Sequence, residues 1–454
     1  MVKPLRHALP TLALLGLATL PALPAAAQYS FLQIAESTQA APGGGNFTTS
    51  FSAPAINASG DIIFRGVTGT TGAYYKYPTG GGAGERLLQA SSSIPAGAGG
   101  GTFGTLNAGM SYSDDDALVF VTPTTGTASG STTGVYRRDS VGTITAVAVQ
   151  GQTSAGAGVT TTYNNFAQYR GGENGNVTFQ AGLRSGTTSA GTGLYRQVAG
   201  GAIERIADTT TTSAAPGGGN FTSFAPGGIT STGQVVFFST ITNDLFANAG
   251  IFSAAADGSL SRLVAQGQAV PGFPGAIINN LTRPSVSNTG FVGFRATGST
   301  TDANAVTRQG IFLYNNGSLI DVAIGNGIAP GGGIFDVSGF SLITQVSNTG
   351  DLAFTARIVG GSESVYAYTN GLLNRVIGVG DTLFGASITG VDSPVIDDMG
   401  NIAVGYTLQG GRTGIFLATP GITPATAPEP GTLALVFTGV MSLTVFSTAR
   451  RRRK

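Results

Sequence analysis

Short apolar runs separated by polar turns recur along this chain at a nearly constant interval. In Val286-Ser287-Asn288-Thr289-Gly290-Phe291-Val292-Gly293-Phe294 a polar turn leads into an apolar strand. Equivalent stretches put Gly60, Gly175, Gly233, Gly290, Gly350 and Gly400 at one position, with Asp116 in that place in Ser113-Asp114-Asp115-Asp116. The steps between them are 56, 59, 58, 57, 60 and 50 residues. Seven units at one period predict a repeat architecture. Each unit holds four strand-like pieces, which in the fifth run over about 276–287, 291–296, 310–314 and 319–324. The last two are joined by Asn315-Asn316-Gly317, a hairpin signal because Asn and Gly take positive φ cheaply.

Four short antiparallel strands repeated seven times predict an all-β, seven-bladed β-propeller over residues 28–421, built from units of about 57 residues. The last unit stops after Ile415-Phe416-Leu417-Ala418 without a fourth strand, while Phe31-Leu32-Gln33-Ile34-Ala35 stands alone near the start. Ala35 precedes Gly60 by 25 residues, the interval that separates Ala265 from Gly290. The N-terminal strand is therefore predicted to complete the last blade, which would also protect its edge. Second strands such as Gln234-Val235-Val236-Phe237-Phe238 are apolar at consecutive positions, as expected when both faces are covered. Phe64, Phe120, Phe179, Phe237, Phe294 and Phe354 share one position of the repeat, with Val404 in the last unit. At fixed repeat spacing such a stripe reads as core between blades rather than a row for stacking sugars.

The two ends depart from the repeat. Residues 1–27 carry Lys3, Arg6 and His7, an apolar stretch and Ala25-Ala26-Ala27, the pattern of a signal peptide cut by signal peptidase. Residues 422–430 form a Pro/Thr linker, and 431–449 are uncharged. Nineteen residues span roughly 29 Å as a helix, which predicts a single transmembrane helix with 450–454 as a basic cytoplasmic tail. Taking Lys3, Arg6 and 450–454 from the 23 basic residues leaves 16, and taking Glu429 from the 22 acidic ones leaves 21. The body is then mildly acidic, and nucleic acid is not an expected partner.

Pro428, Glu429 and Pro430, the apolar run and the terminal Arg450, Arg451, Arg452 and Arg453 follow one another in order. This tail resembles the PEP-CTERM sorting signal of Gram-negative bacteria. The resemblance implies processing by an exosortase and passage from an inner-membrane-anchored precursor to the cell surface or extracellular matrix. The apolar run alone would equally suit a plain membrane anchor. The body, about residues 29–418, is similar to Asn-x-x-Gly-x-x-x-Phe tandem-repeat surface proteins, a likeness that brings no catalytic motif.

Candidate chemistry is sparse. There is no Cys, and the one His is His7 within the signal, so His- and Cys-dependent nucleophilic sites and His-ligated zinc are excluded from the body. Carboxylates, Tyr, Arg and Lys76 remain. Gly-rich stretches such as Ala41-Pro42-Gly43-Gly44-Gly45 lack the Lys-Ser/Thr of a phosphate loop and read as flexible crossovers. Asp114, Asp115 and Asp116 form the densest acidic cluster, a weak Ca²⁺ candidate without the spacing of a calcium loop. First strands of a propeller line its channel, so Arg170, Arg283, Asp336 and Asp392 are the charges expected to reach it. The Asn-x-x-Gly turns share a regular face. The long segments 122–133, 183–192 and 297–309 share the other, where binding is expected. The resulting expectation is a non-enzymatic binding or structural module with no cofactor, associated with exopolysaccharide or surface proteins. The alternatives are a carboxylate-dependent glycan-active enzyme and a protein-docking platform.

Overall fold

The computed structural model describes residues 29–421, apart from 157–160, 210–213, 245–246, 302–304 and 343–344. The repeat turn is the local rule from which the rest follows. In Asn57-Ala58-Ser59-Gly60 the Gly60 N–H donates to the Asn57 carbonyl at 2.9 Å, and Asn57 Oδ1 accepts the Asp61 N–H at 2.8 Å. Ser287, Thr230, Ser347 and Asp397 accept the N–H four residues on in the same way, which is why short polar side chains open the turn. The fourth position lies at φ between +74° and +91° in its six glycines and at +65° in Asp116. That conformation suits Gly and is costly for Asp. Asp116 is held there by Lys76 Nζ at 2.5 Å and by a short hydrogen bond from the Tyr112 hydroxyl.

Seven antiparallel sheets result, one per repeat, numbered here as blades 1–7 in the order of their turns. Blade 5 runs Ala276–Leu281 with Ser285–Val286, then Val292–Thr300, Thr307–Asn315 and Ser318–Ile324, close to the sequence expectation. The N-terminal strand Tyr29–Glu36 is the outermost strand of blade 7 and pairs with Thr413–Pro420, from Tyr29 opposite Pro420 to Glu36 opposite Gly414. Glu36 fastens it by accepting from Tyr406 Oη at 3.0 Å and Arg412 Nη1 at 3.0 Å.

Apolar side chains gather at the seven seams. Ile34, Phe64 and Tyr75 pack with Val395, Ile415 and Leu417 between blades 1 and 7, and an equivalent cluster fills each other seam. The Phe stripe is core. Phe179 and Tyr195 stack across neighbouring strands with centroids 5.3 Å apart, and Phe64–Tyr75, Phe120–Tyr136, Phe237–Phe252, Phe294–Phe312 and Phe354–Tyr366 repeat the arrangement. Near the axis the innermost strands are interrupted by Pro54, Pro226 and Pro284, which are tolerated because their axial edge has no strand to pair with. Neighbouring inner strands touch so closely that a Cβ on Gly172 would lie 2.2 Å from the Ile229 carbonyl oxygen.

Several expectations are corrected. No helix among the described residues is long and apolar enough to cross a membrane, and the helical segments there are two three-residue 3-10 turns. Among the described residues nothing supports the expected transmembrane helix, the membrane as a partner or the membrane-anchored precursor. Its segment 431–449, the signal 1–27, the motif Pro428-Glu429-Pro430 and Arg450 to Arg453 lie outside the described residues. Segment 183–192 is not a long loop, because its strands continue to a tight hairpin with Ser185 opposite Thr188. The crossover at Gly43 is tied down by Arg86 Nη1, which donates to the Gly43 carbonyl at 3.2 Å.

Candidate functional site

The seven turns meet around the axis. Their second residues are Ala58, Asp114, Glu173, Ser231, Asn288, Asn348 and Asp398, a girdle of which all but Ser231 line one central cavity. Side chains in this girdle cap the turn of the preceding blade. Asp114 Oδ1 accepts the Ala58 N–H at 2.6 Å, and Asn288 Oδ1 accepts that of Ser231 at 3.0 Å. Asn348 Oδ1 accepts the Asn288 N–H at 2.9 Å, and Asp398 Oδ1 that of Asn348 at 2.6 Å. The amides then reach both the adjacent blade and blades farther round the ring. Asn348 Nδ2 donates to Asp398 Oδ2 at 2.9 Å and to Asp114 Oδ2 at 3.2 Å, while Asn288 Nδ2 makes a short bond to Glu173 Oε1.

Three carboxyls, Asp114, Glu173 and Asp398, are thereby drawn together with two amides. Partial burial, a hydrogen bond with Asp114 and the charges of Asp114, Asp115 and Asp398 push the Glu173 carboxyl up to about 7. Glu173 thus releases its proton near neutrality. Its native value lies above the ordinary 4.5, so this group favours folding below that value, and the advantage is lost as pH rises through about 7. Glu173→Gln keeps the acceptor for Asn288 and removes the charge. It should stabilise the protein at pH 8 by about 1 kcal/mol after allowance for solvent screening, and change nothing near pH 4. Urea unfolding at the two pH values measures this, and equal effects at both would contradict it.

The girdle opens onto a central cavity of about 300 Å³ lined by innermost strands of all seven blades. Arg170 of blade 3 and Arg283 of blade 5 line it on either side of Gly227 and Gly228 of blade 4, which bring no side chain. Arg170 Nη1 donates to the Tyr169 carbonyl at 2.9 Å. Neither arginine belongs to an ion pair among the described residues. Burial and then the like charge of Arg283 lower Arg170 to about 9, and burial lowers Arg283. Two guanidiniums held in one cavity, neither of them in an ion pair with the carboxyls that share its lining, favour an anion between them.

Of the four charges expected in the channel, the structure brings Arg170 and Arg283 together and places the acids elsewhere. Asp336 lies 3.5 Å from Arg357 Nε and accepts the Ser338 N–H at 3.0 Å. Asp392 is exposed and lines a second cavity of about 250 Å³ at the seam of blades 7 and 1, with Tyr406 and Thr49. The acidic triplet splits three ways. Asp114 enters the girdle, Asp115 accepts from Ser113 Oγ at 2.6 Å, and Asp116 binds Lys76. Among the described residues no group of three or more His, Cys, Asp or Glu is arranged to hold a metal ion.

Glu173, Asn288 and Asn348 are not among the expected site residues, because the sequence reading assigns the turns to the face away from binding. A signal was present. The second turn position is Asp, Glu or Asn in five of the seven units, and in four of these its side chain accepts a backbone N–H of the preceding blade's turn.

The model of a family described as a family of unknown function (DUF7453) matches residues 24–383 and, overlapping them, 229–447. No curated protein matches the chain in sequence. Among solved structures, the chain is similar in fold to an oligogalacturonate lyase in complex with manganese, at 12% identity and TM-score 0.47. That match covers 87% of this chain and 99% of the lyase. The polysaccharide lyase Uly1 matches at 11% identity and TM-score 0.41, over 84% of this chain and 92% of its own. An α-L-arabinofuranosidase from Fusarium graminearum, Arb93A, matches at 9% identity and TM-score 0.33, over 68% and 91%. Likeness at these identities is one of fold alone, that of a β-propeller.

Proposed function

We propose a ligand-binding function for this chain, which belongs to the family of unknown function DUF7453. Its site is the central cavity and its ligand is an anion. One observation carries this reading: Arg170 and Arg283 share the cavity without an ion-pair partner among the described residues. Desolvating two like charges is costly unless something of opposite charge pairs with them, so an anion bound between them would stabilise the fold. Calorimetric titration of the purified chain with acetate, inorganic phosphate and glucuronate should give saturable binding of at least one. Arg170→Gln with Arg283→Gln should weaken that binding at least tenfold. If none of the three anions binds, the reading fails.

A second reading, a glycan-active enzyme, is favoured by Glu173. A carboxyl with a proton affinity near neutrality, beside Asp114 and in the cavity that holds both arginines, suits proton transfer to or from a bound glycan. Release of new reducing or unsaturated ends from a uronate-containing glycan, abolished by Glu173→Gln, would favour it over binding alone.

A further inference from the structure

The cavity is bipolar, and the polarity narrows its ligand. The arginines supply positive charge on the walls formed by blades 3 and 5. The girdle offers Asp114, Glu173 and Asp398 with the amides of Asn288 and Asn348, and Gln345 adds a further amide to the lining. An anion carrying charge at both ends would set one of them against those carboxyls. A group rich in O–H donors would instead find acceptors there, since carboxylate oxygens accept hydroxyl hydrogens strongly. The lining includes neither Phe nor Trp, and its one aromatic residue is Tyr112, so no aromatic platform selects an aromatic acid. A volume of about 300 Å³ exceeds the needs of acetate or phosphate and suits a ligand of one or two sugar rings.

Resting on the anion-binding reading, we infer that the channel takes a sugar acid. Its carboxylate lies against Arg170 and Arg283, and its hydroxyls face the Asp114–Glu173–Asn288–Asn348–Asp398 girdle. Each half of the ligand then meets the half of the cavity that complements it. A neutral sugar would leave the arginines uncompensated, and a simple acid would leave the girdle unused.

The test uses the intact chain with four probes: glucuronate, glucose, acetate and inorganic phosphate. Glucuronate should bind at least tenfold more tightly than acetate or phosphate, with glucose weaker still. Asn288→Ala with Asn348→Ala should reduce glucuronate affinity towards that of acetate. Because those variants could perturb the turns, the probe series on the unaltered chain decides the matter by itself. Acetate or phosphate binding as tightly as glucuronate would overturn the sugar-acid inference and leave the anion reading standing. Glucose binding as tightly as glucuronate, insensitive to Arg170→Gln with Arg283→Gln, would overturn both, as would the failure of every probe to bind.

Discussion

Removing residues 29–36 should abolish the cooperative thermal transition of the domain. Without that strand Thr413–Pro420 becomes an open sheet edge, and Glu36 no longer holds Tyr406 and Arg412. Ile34 and Ala35 leave the cluster that joins blades 1 and 7, and Phe31 leaves its edge-on contact with Phe416 at 5.6 Å. Loss of Phe31, Leu32 and Ile34 from their partly or fully buried positions removes about 5 kcal/mol of apolar burial, comparable with the net stability of many domains. A ring cannot lose one seam without exposing two blade faces, so the effect should extend beyond blade 7. Circular dichroism against temperature, with size-exclusion chromatography, reads it out. A truncated chain that melts at the parent's midpoint would show that closure contributes nothing.

The second large effect is expected from Phe179→Ala. Phe179 is fully buried, stacked on Tyr195 and met edge-on by Tyr163 and Phe166, both with centroids 5.8 Å away. Its cluster also includes Val119, Val121 and Val135 of blade 2, so truncation opens a cavity at a seam and not merely within a sheet. A cost of about 3–5 kcal/mol follows from comparable core truncations. Were the stripe an exposed platform for sugars, the same change would cost less than about 0.5 kcal/mol. The urea midpoint distinguishes the two.

The ring was legible in the sequence because its period is written into local chemistry. A polar residue opens every turn but the third, which opens on Gly172, a residue at positive φ ends it, and an aromatic follows four positions later in every unit but the last, which has Val404. Even the exception, Asp116, could be aligned by phase, and its φ of +65° shows that it takes the glycine's backbone conformation. Closure was legible because 25 residues separate Ala35 from Gly60, as they do in an intact repeat. The site was only half legible. Arg170 and Arg283 could be placed on inner strands by phase, yet phase says nothing about which way a side chain leans once inner strands kink at proline. Asp336 and Asp392 sit on inner strands too, but one meets Arg357 and the other faces the seam groove. The girdle was missed for a different reason. A turn repeated seven times reads as scaffold, but around a symmetry axis repetition brings seven equivalent residues to one point, where Asp114, Asn288 and Asn348 become neighbours across 174 and 234 residues of sequence.

The pairing of Tyr29 with Pro420 has a mechanical side. The domain's first and last residues leave the ring from the same end of the same antiparallel pair. Tension applied between them does not shear the pair along its length, where all its hydrogen bonds would share the load. It peels the strand from Tyr29 towards Glu36, bond by bond, and the first firm stop is the Glu36–Arg412 ion pair at the far end. The ring is therefore fastened like a zip that opens from its Tyr29–Pro420 end.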